Sequence, residues 1–315
     1  MSRAAVIVNP AARGGAPAVA AEVAARLRAL CDHVDLVSTG VAGDGVAVAR
    51  DAVLAAGTTL VVAVGGDGTA REVAQGMAEG LGTWTGAAAD RSAPLLVIVP
   101  AGTGNSLHRA LWGDRPWQET VDLLASGGTV RRDLDLARIE GHDQAVLLGA
   151  SAGFLRWAVE ATSRFPELSG RELYAAAGLA AAQELQPFAG RVSVDGCVVA
   201  DRPMALAAVG GARRRGGSLE LFPQSRLDDG LLDVCVLGAG DAEQAMGLLA
   251  LAMGGRHVGQ PGVGYAQGRS VTFERVGAPL AFEHDGDLWP GDDSRITLSI
   301  VPAAVPVVSP PAWEE

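Results

Sequence analysis

Cysteine is scarce in this chain. Cys31, Cys197 and Cys235 lie far apart, with no CxxC or CxxH spacing. That argues against a disulfide framework or a cysteine-bound zinc, and for a reducing compartment. Aromatic residues make up only 4%, and the formal net charge is −11. A chain this acidic is not built to coat nucleic acid by charge alone. Long apolar runs are missing too. The longest, around AMGLLALAMGG, is too short to span a bilayer, so any membrane contact is expected to be peripheral. The opening MSRAAVIVNPAARGG reads as a first strand, not as a signal peptide. The histidines, His33, His108, His142, His257 and His284, show no metal spacing. No GxGxxG follows the first strand, and GxxxxGK[ST] occurs nowhere. If the chain binds phosphate, it does so with backbone and short side chains, not a Walker lysine.

What is abundant is glycine, 42 of 315 residues, in a chain long enough for one large domain or two ordinary ones. Strand and helix signals alternate up to about residue 125. AAVIVNP, HVDLVST, TLVVAV and APLLVIVP read as strands. Helical patterns fall at 17–31, 44–56, Thr69 to Glu79, Asn105 to Leu111 and Trp117 to Leu124. The unbroken apolar strands suit a parallel sheet covered on both faces, so an open α/β domain is expected over residues 1–127. After ASGGT the pattern becomes many short β-like runs, broken by helical stretches near 155–187 and 241–254. A mostly antiparallel β-sandwich is expected over 128–315, with a Pro-rich tail fraying after Ser309.

The stretch AVGGDGTAREV stands where the third strand meets a helix. Open α/β sheets bind ligands at the carboxyl ends of their strands. Gly65, Gly66 and Gly68 let a backbone approach phosphate closely, and the next helix offers free N–H groups. Thr69 can cap that helix and donate its hydroxyl. Asp67 is the odd residue: it either holds a cation, takes a proton, or caps a helix or turn. Two further loops repeat the arrangement. PAGTGNS carries Gly102, Thr103, Gly104 and Asn105, and NPAARGG follows the first strand. Together the three would line one crevice.

In this order and at these separations, NPAARGG, GGDGTAREV and VPAGTGNS resemble the diacylglycerol kinase catalytic family of soluble lipid kinases. The resemblance continues through SAGFLRWAV, RELYAAAGL, GGSLELFPQSRLDDGLLDVCVL and FEHDGDLW, and covers nearly the whole chain. It implies an α/β nucleotide domain, a β-sandwich domain, and transfer of the γ-phosphate of ATP to a lipid hydroxyl in a site between them. It further implies that Asn9, Pro10, Ala11, Ala12, Arg13, Thr39, Gly65, Gly66, Asp67, Gly68, Thr69, Arg71, Glu72, Gly102, Thr103 and Asn105 serve ATP. Asp287 would be the proton acceptor, with Asp67 and Asp285 completing the acidic side. Asp229, with the main-chain carbonyls of Arg226 and Leu231, would hold a structural Mg²⁺. These expectations fit the chemistry, because phosphoryl transfer is mostly positioning plus charge neutralisation.

Four positions depart from the family pattern. Arg71 and Gly210 stand where Asn is usual, Ser106 stands for Asp, and Asp287 stands for Glu and is one methylene shorter. The run Arg213-Arg214-Arg215 reads either as an exposed loop meeting anionic lipid headgroups or as a solvated turn. Phe154, Trp157, Tyr174, Leu179 and Leu185 are candidates for an acyl-chain cleft or for plain core. The expectation is therefore a cytoplasmic lipid kinase, transiently at the inner face of the membrane, with a homodimer left open. The competing readings are a kinase of a soluble substrate such as NAD, which shares GGDG, and a nucleotide- or lipid-binding homologue with little turnover.

Overall fold

The computed structural model describes residues 2–216 and 219–311. The chain forms two compact units. One runs to Leu136 and is joined by the chain from Val301 on; the other is Ala137–Ile300.

In the first unit, β1 (Arg3–Val8), β2 (His33–Ser38), β3 (Thr58–Gly65) and β4 (Leu95–Pro100) form a parallel sheet in the order β2-β1-β3-β4. Helices α1 (Ala16–Leu27), α2 (Asp44–Leu54) and α3 (Asp67–Leu81) make the crossovers, followed by α4 (Ser106–Trp112) and α5 (Trp117–Ala125). β3 is buried at every residue except Thr59, as its apolar sequence requires of a central parallel strand. The chain leaves β1 toward β2 on one side and returns to β3 on the other. The sheet thus reverses direction between β1 and β3, where open α/β sheets have their ligand crevice.

β5 (Val130–Ile139) carries the chain across the division between units. The second unit holds β6 (Ala145–Val146), β7 (Gly149–Gly153), α6 (Phe154–Ala161), α7 (Gly170–Gln183), β8 (Phe188–Val194), β9 (Cys197–Gly210), β10 (Leu232–Gly238) and α8 (Ala242–Ala252). β11 (Val263–Gly268), β12 (Ser270–Glu274), β13 (Phe282–His284) and β14 (Asp287–Leu288) follow. The last strand, β15 (Arg295–Ser309), begins here and ends in the first unit. The strand pairings within the second unit are antiparallel among the described residues. Alternation along β9 and β10 divides two cores. Ala207, Val209, Val234 and Val236 face one, packed with Phe273 and Phe282. Leu206, Ala208, Cys235 and Leu237 face the other, covered by α6 and α8.

The fold class expected from the sequence is the one observed, but several elements differ. The units divide at Leu136/Ala137, not near residue 127, and the chain from Val301 on clusters with the first unit. The reason is that Val307 pairs with Leu96 of β4 and the Ala304 carbonyl accepts the Thr83 hydroxyl at 2.6 Å. The helix expected from Thr69 starts at Asp67, so Asp67, Gly68 and Thr69 form its first turn. Helix 155–187 is two helices, α6 and α7. The tail expected to fray after Ser309 lies largely in residues 312–315, outside the described residues.

Candidate active site

The first unit brings its three glycine loops into contact. Gly14 N donates to Ala101 O at 3.0 Å, Ala101 N to Gly65 O at 2.7 Å, and Asn9 N to Val64 O at 3.2 Å. Glycine is required at the seams. A Cβ on Gly102 would lie 2.3 Å from the Gly66 Cα, and one on Gly14 would lie 2.7 Å from Ala101 O. Asn105 closes its own loop from the left-handed region, φ 51°. Its Oδ1 accepts Gly102 N and its Nδ2 donates to Gly102 O, each at 2.9 Å. Asn9 Oδ1 accepts Ala11 N at 3.0 Å, which shapes the first loop. Pro10, Ala11 and Arg13 are exposed there, Ala12 is half-buried, and so is Thr103 in the third loop. Thr39, at the end of β2, is buried beside them, its N–H donating to Val8 O at 2.9 Å. Gly68 is exposed, with open space where a Cβ would stand.

Of the roles open to Asp67, the structure shows the capping one. Asp67 Oδ2 accepts Ser106 N at 2.9 Å and Oδ1 accepts Leu107 N at 3.0 Å. It therefore caps α4 from the first turn of α3, and both oxygens are engaged with backbone. Glu72 does the same for α2, its oxygens accepting Gly43 N at 2.8 Å and Gly45 N at 3.0 Å. Both residues fix the loops through these atoms. Arg71 is 8% exposed and engaged within the fold, so it does not point to solvent. Asp67→Asn is expected to lower stability by about 1–2 kcal/mol, because the amide can accept only one of the two N–H groups. A denaturant midpoint checks this: a carboxylate acting only on a proton or cation would tolerate Asn without losing stability.

His108 is a residue that sequence reasoning passed over. It is 3% exposed and lines a small dimple with Gly65, Gly66, Asp67, Pro100 and Asn105. Its Nε2 is buried with no hydrogen-bond partner among the described residues. Burial, helped by the charge of Arg109, pushes its pKa down to about 4. The unfolded chain therefore takes up this proton first, and His108 costs stability as pH falls from about 6.5 to about 4. The loss over that window is on the order of 3 kcal/mol. His108→Leu should flatten this part of the pH–stability curve, read by thermal melts at stepped pH. An unchanged slope would refute the assignment.

In the second unit, Asp285-Gly286 turn the hairpin between β13 and β14 with φ 49° and 88°, the positive values a two-residue turn of this kind needs. Asp285 is held from below: its carboxylate accepts Leu147 N at 2.7 Å, Leu148 N at 2.7 Å and Gly149 N at 3.0 Å. Asp287, the first residue of the returning strand, is exposed. Of the two acids expected here, Asp285 is a structural anchor and Asp287 is the one presented outward. His284 is buried, 6.0 Å from the Trp289 ring centroid. α6 packs against both strands of the hairpin. An open depression of about 130 Å³ is lined by Gly153, Trp157, Gln186, Pro187, Phe188, Arg275 and Ala281. Trp157 is thus a cleft residue, whereas Phe154 and Leu185 are core and Leu179 is exposed.

In the DDGLLD turn, Asp229 Oδ1 accepts Leu231 N at 3.0 Å. Asp233 is fully buried, its Oδ1 receiving Tyr265 Oη at 2.7 Å and Gln267 Nε2 at 3.1 Å. Its Oδ2 has no hydrogen-bond partner among the described residues. Burial and, less strongly, the charge of Asp229 raise its pKa. Among the described residues no three His, Cys, Asp or Glu side chains gather as a metal site. A set of one carboxylate and two main-chain carbonyls would not form such a group. The three arginines do not form an exposed patch. Arg215 is buried, Arg213 is half-buried with Nη2 donating to Pro223 O at 2.5 Å, and only Arg214 is exposed. Arg215 turns inward where its backbone bridges Leu219, a difference that three identical letters conceal.

The diacylglycerol kinase catalytic domain family matches residues 3–138, and the YegS C-terminal NAD kinase beta sandwich-like domain family matches residues 149–309. A "Probable lipid kinase YegS-like" of Pseudomonas aeruginosa is 32% identical over 270 residues, 85% of this chain and 82% of the relative. A "Diacylglycerol kinase" of Mycobacterium tuberculosis is 31% identical over 266 residues, 82% of this chain and 79% of the relative. A solved structure of a diacylglycerol kinase from Bacillus anthracis aligns with a TM-score of 0.68 at 16% identity, covering 99% of this chain and 98% of the other, a likeness of fold. With three touching glycine loops, an outward acid on a hairpin and these matches over nearly its whole length, the chain belongs to the lipid kinase family of the diacylglycerol kinase and YegS-like proteins.

Proposed function

We propose that this protein transfers the γ-phosphate of ATP to the hydroxyl of a lipid alcohol, diacylglycerol or a relative of it, with Asp287 as general base. The observation that carries the reading is the hairpin. Asp285 is committed to three backbone amides, whereas Asp287 is exposed on the returning strand. Helix α6, which packs against both strands of that hairpin, contributes Trp157 to an open depression lined also by Pro187, Phe188, Gln186 and Arg275. A lipid alcohol is a poor nucleophile until its proton is taken as it attacks, and a carboxylate within hydrogen-bond reach can take it.

The loops of Asn9 to Arg13, Gly65 to Thr69 and Gly102 to Asn105 hold the triphosphate through backbone N–H groups and the hydroxyls of Thr39, Thr69 and Thr103. Glycine-on-glycine packing supports this, since it leaves the backbone bare where phosphate must approach. Asp67 and Glu72 serve ATP indirectly, by fixing α4 and α2 against the loops. Mg²⁺, when bound with ATP, neutralises charge on the phosphoryl oxygens. A structural Mg²⁺ would sit on Asp229 and the carbonyls of Arg226 and Leu231. The unpartnered Oδ2 of Asp233, with a second carboxylate near enough to raise its pKa, fits a cation there. The reaction places the protein in the cytoplasm, where ATP is supplied, with transient contact at the inner face of the membrane, where the lipid resides.

The test is incubation with radiolabelled ATP, Mg²⁺ and mixed micelles of diacylglycerol, sphingosine, ceramide or phosphatidylglycerol, with NAD as a competing acceptor. Labelled lipid is expected, and the lipid that takes label names the acceptor. Label passing to NAD instead would replace the lipid reading with the soluble-substrate one. ATP binding without transfer would leave a nucleotide-binding homologue.

A further inference from the structure

Beneath the hairpin lies a buried charge cluster that the proposed chemistry does not use. Arg215 Nη2 donates to Glu283 Oε1 at 2.8 Å, and Arg215 Nη1 stands 3.9 Å from Asp285 Oδ1. The side chains of Arg215 and Glu283 are 8% and 1% exposed. Ser151, opposite Glu283 in the β7–β13 ladder, donates its hydroxyl to the same Oε1 at 2.5 Å. Glu283 Oε2 accepts Gly286 N, the turn residue itself, at 3.1 Å. The Arg215 backbone is pinned in turn by paired bonds with Leu219 at 2.8 and 3.1 Å.

A buried ion pair is weak support for stability, because desolvation offsets its attraction and apolar side chains would pack as well. This one has a further cost, since Arg215 Nε is buried with no hydrogen-bond partner among the described residues. Its geometry is specific, however. One guanidinium serves two carboxylates, one gripping the turn at Gly286 and the other gripping Leu147, Leu148 and Gly149. Asp287 is the next residue after that turn. We propose that Arg215 is a positioning residue for phosphoryl transfer: with Glu283 it forms a buried strut that fixes the Asp285-Gly286 turn and so places the Asp287 carboxylate. This rests on the lipid kinase reading above.

The experiment compares Arg215→Met and Arg215→Lys with wild type, each also in an Asp287→Asn background. Two readouts are taken: lipid phosphorylation in mixed micelles, and hydrogen exchange of the peptide containing Phe282–Leu288. Misplacing a reacting group by about an ångström costs about 100-fold, so Arg215→Met should lower kcat by about that factor with KM for ATP unchanged. Arg215→Lys, which keeps the charge and folds with less disturbance, should recover part of the loss. Exchange of the hairpin peptide should quicken while the peptide of Gly65 to Thr69 stays as in wild type. In the Asp287→Asn background, Arg215→Met should cost nothing further, because its effect passes through Asp287. Unchanged hairpin exchange, or an equal loss in both backgrounds, overturns the positioning role while leaving the kinase reading intact. No labelled lipid from wild type overturns the kinase reading and the positioning role with it.

Discussion

Asp287→Asn is expected to reduce lipid phosphorylation by about 100- to 10,000-fold while ATP binding persists, the range that removal of a general base usually covers. Asp287 is exposed on the hairpin, and the loops proposed for ATP belong to the other compact unit, so the variant leaves their packing untouched. The loss should fall on kcat, since the base acts on a proton that moves only in the transition state. Asp287→Glu sharpens the test, because it restores the longer carboxylate of the family pattern. It should keep the activity, and a gain would show that the shorter side chain holds this enzyme back. Full activity of Asp287→Asn would remove Asp287 from the chemistry. Asp285 offers no equally clean test, because its three amide bonds make any substitution there structural.

How far the site was legible follows from the range of the interactions that make it. The parallel strands and their loops depend on local signals: unbroken apolar runs, glycines at strand ends and helix periodicity. Asp285-Gly286 likewise carries its hairpin in two letters. The roles of Asp67 and Glu72 were not legible in this way. A carboxylate beside glycines looks the same in sequence whether it faces a ligand or a helix N-terminus. Here the amides it meets are 39 and 40 residues on for Asp67, and 29 and 27 residues back for Glu72. Arg215 was hidden for the same reason, since its partner Glu283 is 68 residues away. The assignment of the chain's end to the first unit rests on pairings of β15 with β4 and β5 and on hydrogen bonds spanning 168 to 221 residues. Local patterns set the elements. The capping, the buried ion pair and the return of the last strand are long-range choices that no local signal encodes.

Gly102→Ala and Gly68→Ala, taken as a pair, are expected to separate the building of the ATP loops from their contact with ATP. At Gly102 the new Cβ would meet the Gly66 Cα at 2.3 Å and the Gly66 N at 2.9 Å. Both atoms are backbone, so the clash is relieved only by parting the second and third loops. The Ala101 N to Gly65 O bond that joins them, 2.7 Å, would be strained with them. Gly102→Ala should therefore lose stability, by about 1–3 kcal/mol for an overpacked site, and raise KM for ATP by more than tenfold if the loops part by about an ångström. Gly68 differs in each respect. It lies in the first turn of α3, has open space at its Cβ position and is not held at positive φ. Alanine there should leave the fold unharmed or stabilise it by about 0.4–1 kcal/mol through the unfolded chain. It should nonetheless raise KM for ATP, because the new methyl group stands where the phosphate must approach the bare backbone. Thermal melts and ATP titrations of both variants decide the matter. A Gly68→Ala protein that is stable and binds ATP as tightly as wild type would place the triphosphate elsewhere. A stable variant with weakened ATP binding would place it over the first turn of α3, with Asp67 and Glu72 serving as the fasteners of the cradle.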